Sequence, residues 1–276
     1  PSSAASDVYK RQVSMHPALW ISKTGLDAKQ RDISVISNNL ANASTIGFKK
    51  SRAIFEDLLY QNINQPGGRS SQNSELPNGL MLGAGTKVVA TQKSFTQGNM
   101  ITTEGSLDVM IQGHGFFEVL MPDGTTSYSR NGQFTTDSEG NLVTSGAGYQ
   151  IQPNIVIPED AQSITISQDG EVSVRLPGQV DQAVVGQLTV TNFVNPAGLE
   201  PVGQNLFTAT AASGDPVQGI PGLEGRGILV QGALETSNVN VTEELVSLIE
   251  SQRVYEMNSK VISTVDQMLG TAIQQL

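Results

Sequence analysis

Cysteine is absent from this 276-residue chain, which excludes disulfide stapling, thiolate catalysis and cysteine–zinc sites. Histidine is scarce. His16 and His114 are the two that occur, so metal binding and imidazole acid–base chemistry have few candidates. Apolar runs are short: none approaches the roughly 18 residues a membrane-crossing helix needs, so no membrane insertion is expected. A cationic stretch leading into an apolar segment and a small-residue cleavage site is also missing, so any export is expected to proceed without a cleaved signal peptide. Basic blocks are missing as well. The net charge is −10 and no cationic run could neutralise a row of phosphates, so no nucleic-acid partner is expected. The acidic charge is spread along the chain and serves solubility.

Catalytic constellations are equally hard to find. Gly83-Ala84-Gly85-Thr86-Lys87 has the flavour of a phosphate loop but lacks the required Gly-Lys-Ser/Thr order. Gly113-His114-Gly115 lacks the third glycine of a dinucleotide fingerprint, because Glu118 stands there. There is no Gly-x-Ser-x-Gly elbow, and the carboxylates of the middle region cluster nowhere. The sequence therefore predicts no catalytic residue, no cofactor and no metal, and the enzyme alternative, such as a cell-wall hydrolase, has little support.

What the chain does have is a matched pair of ends. Leu19, Leu26, Ile33 and Leu40 recur every seven residues near the N-terminus, flanked by Ile36. Near the C-terminus Leu248, Tyr255, Ile262, Leu269 and Leu276 do the same, with Leu245 one turn before them. A second track of Val254, Val261 and Met268 runs beside them, filled in by Val265 and Ile273. One partner helix covers a single seam, so this wider face predicts several helical neighbours. Pro17 is placed to open the first helix, which should run to about Asn42, with Gly47 supplying the stop. Asn240 should cap the last helix, with Glu243 completing a capping box.

Residues 1–14 show no period and read as a disordered or non-native extension, with Met15 the expected start of the natural chain. Phe48, Ile54, Phe55, Leu58 and Leu59 fit either a short helix or an extended arm. Residues 64–79 are almost wholly polar and read alone as a flexible linker. From residue 85 to 232, turn signals such as Asn131-Gly132 and Asp169-Gly170 recur at short intervals. Ile164-Thr165-Ile166-Ser167 and Glu171-Val172-Ser173-Val174 alternate on either side of Asp169-Gly170 and predict a hairpin. The fold class expected is α+β, with long terminal helices pairing as a coiled coil around a central, mainly antiparallel β domain. The expected division is 15–47 with 237–276 as the helical part, 48–84 as a connecting arm and 85–232 as the β domain.

Two local motifs carry a family resemblance. Asn39-Leu40-Ala41-Asn42, followed by Thr45, Gly47, Phe48 and Lys49, resembles the N-terminal signature of bacterial flagellar rod and hook proteins. Glu235-Thr236-Ser237-Asn238-Val239, then Glu244-Leu245-Val246, Gln252-Arg253, Tyr255-Glu256 and Asn258-Ser259-Lys260, resembles the other end of the same family. Gln65-Pro66-Gly67 and Leu76-Pro77 with Gly79 resemble a segment carried by the distal-rod branch and largely lacking in the others.

The resemblance implies an exported structural protein that polymerises into a rigid hollow drive shaft across the periplasm, transmitting torque from motor to hook. Implied partners are other copies of itself, proximal rod proteins, the hook protein, the periplasmic and outer-membrane bushing rings and the flagellar export apparatus. The repeats at the two ends would be the polymer interface, and the 60–79 segment would keep the rod straight. A hook or proximal rod protein is the alternative within the family. From another class, a secreted trimeric adhesin or tail-like binding module would use the same heptads to trimerise a β domain.

Overall fold

The computed structural model describes residues 3–64, 69–71, 74–75, 79–178 and 181–274. The chain is α+β and divides into two compact units. One comprises Pro1–Leu40, Ser51–Gln92 and Val241–Leu276; the other comprises Ala41–Lys50 and Lys93–Asn240.

The first unit is built on two long helices. Helix α1 spans Ser3–Ala41 and helix α2 spans Val241–Gln274. Pro17 thus lies inside α1 rather than at its first turn. Its ring forgoes one backbone hydrogen bond, but residues 3–16 contain no glycine and no further proline, so the helix continues through it. Asn240 directly precedes the first residue of α2, and Glu243 and Glu244 sit in the first turn, where carboxylates suit the positive end of the helix dipole. The ambiguous apolar stretch after residue 50 is extended: Ser51–Asp57 pairs with Thr86–Lys93, and its Phe55 ring receives the Lys29 ammonium from α1 at 5.4 Å. Beyond it a narrow ribbon pairs Gln61 with Leu82 and Asn62 with Met81. Gln65, Pro66, Gly67, Leu76 and Pro77 lie outside the described residues, as does Leu276, whereas Gly79 is half-buried.

In the second unit every strand pair is antiparallel. Its largest sheet has seven strands, in the order Phe134–Thr136, Leu142–Thr144, Gln150–Gln152, Phe117–Leu120, Thr126–Ser129, Leu206–Thr208 and Glu200–Gly203. The hairpin over Asp169-Gly170 forms as its alternation predicts, with Ile164 opposite Val174 and Ile166 opposite Val172.

The two-residue period of extended chain decides where the core sits. Phe117 enters a large aliphatic cluster with Val109, Leu142, Ile151, Val172 and Leu188. Its neighbour Phe116 points the other way, into a small aromatic cluster with Tyr128, Phe193, Leu199 and Phe207. Rings there meet edge to face, as Tyr128 and Phe193 do at 4.8 Å, the arrangement that the ring quadrupoles favour.

Candidate assembly surface and the meeting of the two signature motifs

The motifs at the two chain ends meet, and they meet in both units. In the β unit Lys49 is fully buried beside Glu235, 186 residues later, with Nζ 2.6 Å from Oε1. Arg130 donates from Nε to the other oxygen, Oε2, at 3.0 Å. One carboxylate therefore serves two buried cations. The second positive charge is met by main-chain carbonyls: Lys49 also donates to Thr96 O at 2.7 Å, and Arg130 Nη1 to Gly113 O and Gly115 O at 2.8 and 2.7 Å. The Gly98 N–H donates to Glu235 Oε1 at 2.8 Å, so both carboxylate oxygens are engaged. Burial pushes the Lys49 ammonium below its ordinary 10.5, more strongly than the attraction of Glu235 holds it up. Burial lowers Arg130 as well, against the same attraction.

Around this buried triad the backbone is stitched by the remaining motif residues. The Gly47 N–H donates to Glu235 O at 2.8 Å, and the Lys50 N–H to Asn238 Oδ1 at 2.8 Å. Asn238 Nδ2 in turn donates to Ser94 O at 2.8 Å. Gly47 is required there: its φ is +70°, and an added Cβ would lie 2.9 Å from the Asn131 nitrogen. Phe48 is buried, with the Lys93 ammonium 5.0 Å from its ring centroid.

In the helical unit, Asn39 is 2 % exposed and acts as a clamp. Its Nδ2 donates to Ser51 O at 2.8 Å while its Oδ1 accepts from Ser51 N at 2.9 Å, imitating a strand partner for the residue that starts the extended arm. The same Nδ2 lies 3.1 Å from Glu244 Oε2 on α2. Seven residues back along α1, Asp32 Oδ2 accepts from Ser251 Oγ at 2.9 Å. Seven further back, an added Cβ on Gly25 would lie 2.8 Å from Asn258 Nδ2. As α1 is followed backward, α2 advances by seven residues each time, the order of antiparallel helices.

These contacts run along small and polar residues. The apolar tracks flank them: Leu19, Leu26, Ile33 and Leu40 are half-buried and Ile36 is buried. On α2, Leu248, Val254, Ile262, Val265 and Leu269 are half-buried, whereas Leu245, Tyr255, Val261 and Met268 are 39–58 % exposed. Ile273 belongs to the helix, with its side chain outside the described residues. Gln252, Arg253, Ser259 and Lys260 face solvent, as does Ala41, while Asn42 and Thr45 are half-buried.

Comparison with known proteins decides the family. Residues 20–49 match the flagella basal body rod protein family, residues 110–174 the flagellar hook protein FlgE/F/G D1 domain, and residues 230–275 the flagellar basal body rod FlgEFG protein C-terminal family. The flagellar basal-body rod protein FlgG of Buchnera aphidicola from Acyrthosiphon pisum is 54 % identical over 255 residues, covering 92 % of this chain and 98 % of the relative. The chain belongs to the flagellar basal-body rod protein FlgG family. Members further away include FlgG of Borreliella burgdorferi, 49 % identical over 94 % of this chain and 98 % of its own. FlgG of Bacillus subtilis is 38 % identical over 91 % of this chain and 96 % of its own.

This rod-family chain is a structural subunit and not an enzyme. No helix among the described residues is long and apolar enough to cross a membrane. The matched regions at 20–49 and 230–275 contain every partner in the Lys49–Glu235 and Asn39–Glu244 pairs. Arg130 falls in the middle match, and its part in the triad has no signal in a single sequence: it sits beside Asn131-Gly132 and reads as a turn. Glu235 is the first residue of the C-terminal signature, but nothing in the sequence points to its two buried cations.

Proposed function

We propose that this subunit builds the distal segment of the rod, polymerising into a rigid hollow shaft that carries torque from motor to hook. In this reading α1 and α2 pair as a coiled coil, and the paired helices of many copies form the polymer core. The carrying observation is the breadth of apolar surface on α2. Leu248, Val254 and Ile262 are half-buried, while Val246, Ile249, Met257 and Met268 remain 49–61 % exposed. Burying each such side chain contributes about 1.5–3 kcal/mol, repeated in every subunit. The heptad residues Leu19, Leu26, Ile33 and Leu40 would add their half-buried tracks to the same interfaces.

The partners that follow are the proximal rod below, the hook above, the bushing rings around the shaft and the export apparatus that delivers the chain across the cytoplasmic boundary. The segment from 60 to 79 would pack between subunits and hold the rod straight, so deleting it should leave polymerisation intact and change stiffness or curvature. Sedimentation over a concentration series, followed by electron microscopy of the concentrated protein, tests the proposal. A dilute monomer that elongates into straight tubes is expected. A small closed oligomer at every concentration would overturn the rod reading in favour of a trimeric module.

A further inference from the structure

The β unit carries a cleft of about 390 Å³, within the roughly 300–1,000 Å³ typical of small-molecule sites. Its lining is unusual in chemistry rather than size. Carboxamides and hydroxyls dominate, Tyr149 supplies the one aromatic ring, and no acidic or basic side chain takes part. Several polar atoms in the wall hold the wall itself together. Ser129 Oγ donates to Asn205 O at 3.0 Å, and Asn205 Nδ2 donates to Ile46 O at 2.8 Å. Other groups are left over: the Tyr149 hydroxyl, Asn131 Nδ2, Asn205 Oδ1 and the whole Gln204 carboxamide make no hydrogen bond among the described residues. Free donors and free acceptors thus stand together on a fixed frame.

The frame includes an unfavourable conformation. Gln204 and Asn205 form the tip of the hairpin between Glu200–Gly203 and Leu206–Thr208, with φ of +53° and +59°. Asparagine tolerates that region, and glycine would suit the first position; glutamine suits it poorly. The exposed Gln204 carboxamide has no structural partner that would account for the choice. Backbone strain without a structural return is a mark of function.

We propose that this cleft is a binding site for a short neutral saccharide. The absence of charge in the lining disfavours phosphates, carboxylates and amines, which would be desolvated there without a counter-ion. An extended peptide is disfavoured for a different reason. The strands in the wall, Thr126–Ser129, Leu142–Thr144 and Leu206–Thr208, are all interior to the seven-stranded sheet, so no free edge faces the cleft for main-chain pairing. Recognition then falls to the side chains and the loop at Gly146-Ala147. Carboxamides that both donate and accept match sugar hydroxyls, and the Tyr149 ring offers a flat apolar face to the carbon skeleton.

The test titrates the dilute, isotope-labelled full chain with maltotriose and with triacetylchitotriose, following the side-chain amides of Asn131, Gln204 and Asn205 by NMR. Acetyl-tetraglycine-amide and inorganic phosphate are the comparison probes. Saturable shifts with a trisaccharide, and none with phosphate, are expected. Gln204→Gly should relax the turn and raise the thermal midpoint, yet weaken the sugar about fivefold, the loss of about one hydrogen bond. Tyr149→Leu, which keeps the backbone bonds of the turn, should weaken it at least as much. The proposal is overturned if neither trisaccharide shifts these amides up to about 20 mM. It is also overturned if tetraglycine shifts them equally, or if Gln204→Gly binds as tightly as the parent.

Discussion

In the β unit Phe117, Val119, Leu188 and Val190 have no exposed surface at all, whereas Val246, Ile249, Met257 and Met268 of α2 stand about half in water. The polar groups are distributed the other way round. The β unit buries a complete ionic triad, while the buried side chains of the helices include Ser22, Asn39 and Ser251 in place of a leucine seam. The β unit thus keeps its core clusters dry and matches the buried charges of its triad internally. The helices hold each other through small, directional contacts and leave larger apolar residues half in water. If the proposed shaft forms through that exposed surface, stability and assembly rest on different residues, and the contrast can be broken from either side.

The largest loss should follow Glu235→Gln, which strands Lys49 and Arg130 in a buried site. Urea denaturation is expected to register about 3–5 kcal/mol, the usual result of removing one partner from a buried ion pair. Replacing Lys49, Arg130 and Glu235 together by apolar residues should recover much of that loss, because no buried charge is then left unmatched.

Gly47→Ala comes next, at about 1–3 kcal/mol. It forces a side chain into a left-handed backbone and against the Asn131 nitrogen. In the helical unit, Ser251→Ala should cost about 1 kcal/mol by deleting the hydrogen bond to Asp32. A double-mutant cycle with Asp32→Ala would show whether the two side chains act together.

Solution pH probes the triad without mutation. The folded state holds Lys49 below its unfolded value of 10.5, so it releases its proton at lower pH than the unfolded chain does. Between those two values the unfolded state binds more protons, and the contribution of Lys49 to stability rises with pH. Urea midpoints taken as pH climbs toward 10.5 should show a positive contribution that Lys49→Met removes. The smallest effect on folding is expected of Val261→Glu, at within about 0.5 kcal/mol, since the residue is 44 % exposed. Its effect on assembly should be complete: sedimentation should find monomer at concentrations where the parent elongates.

The period of the terminal repeats made both helices legible, and alternation made the Asp169-Gly170 hairpin legible. The contacts between the helices were not. Gly25, Asp32 and Asn39 also recur every seven residues, but a glycine and two polar residues carry no hydrophobic signal, and the leucines beside them drew the reading. Pro17 departs from its expected place too: proline favours a first turn statistically, yet a preceding stretch without glycine or further proline lets the helix run through it. The motif residues were visible as words in the sequence, but their meaning needed the fold. Lys49 acquires its role only when Glu235, 186 positions further along the chain, folds back onto it together with Arg130, which itself lies 105 positions before that carboxylate.

That separation also has a direction in time. Protein chains are made, and threaded through narrow passages, from one end. A chain led by its N-terminus brings out Lys49 and then Arg130 well before Glu235, which closes the Ala233–Glu235 strand, the last of the β unit. Until then the two cations have no carboxylate to enter the interior with, and water holds them better than the half-built core can. The triad is a latch whose bolt is delivered last: a chain truncated before Glu235 is expected to leave the β unit unlocked, with amide hydrogen exchange faster there than in the full chain.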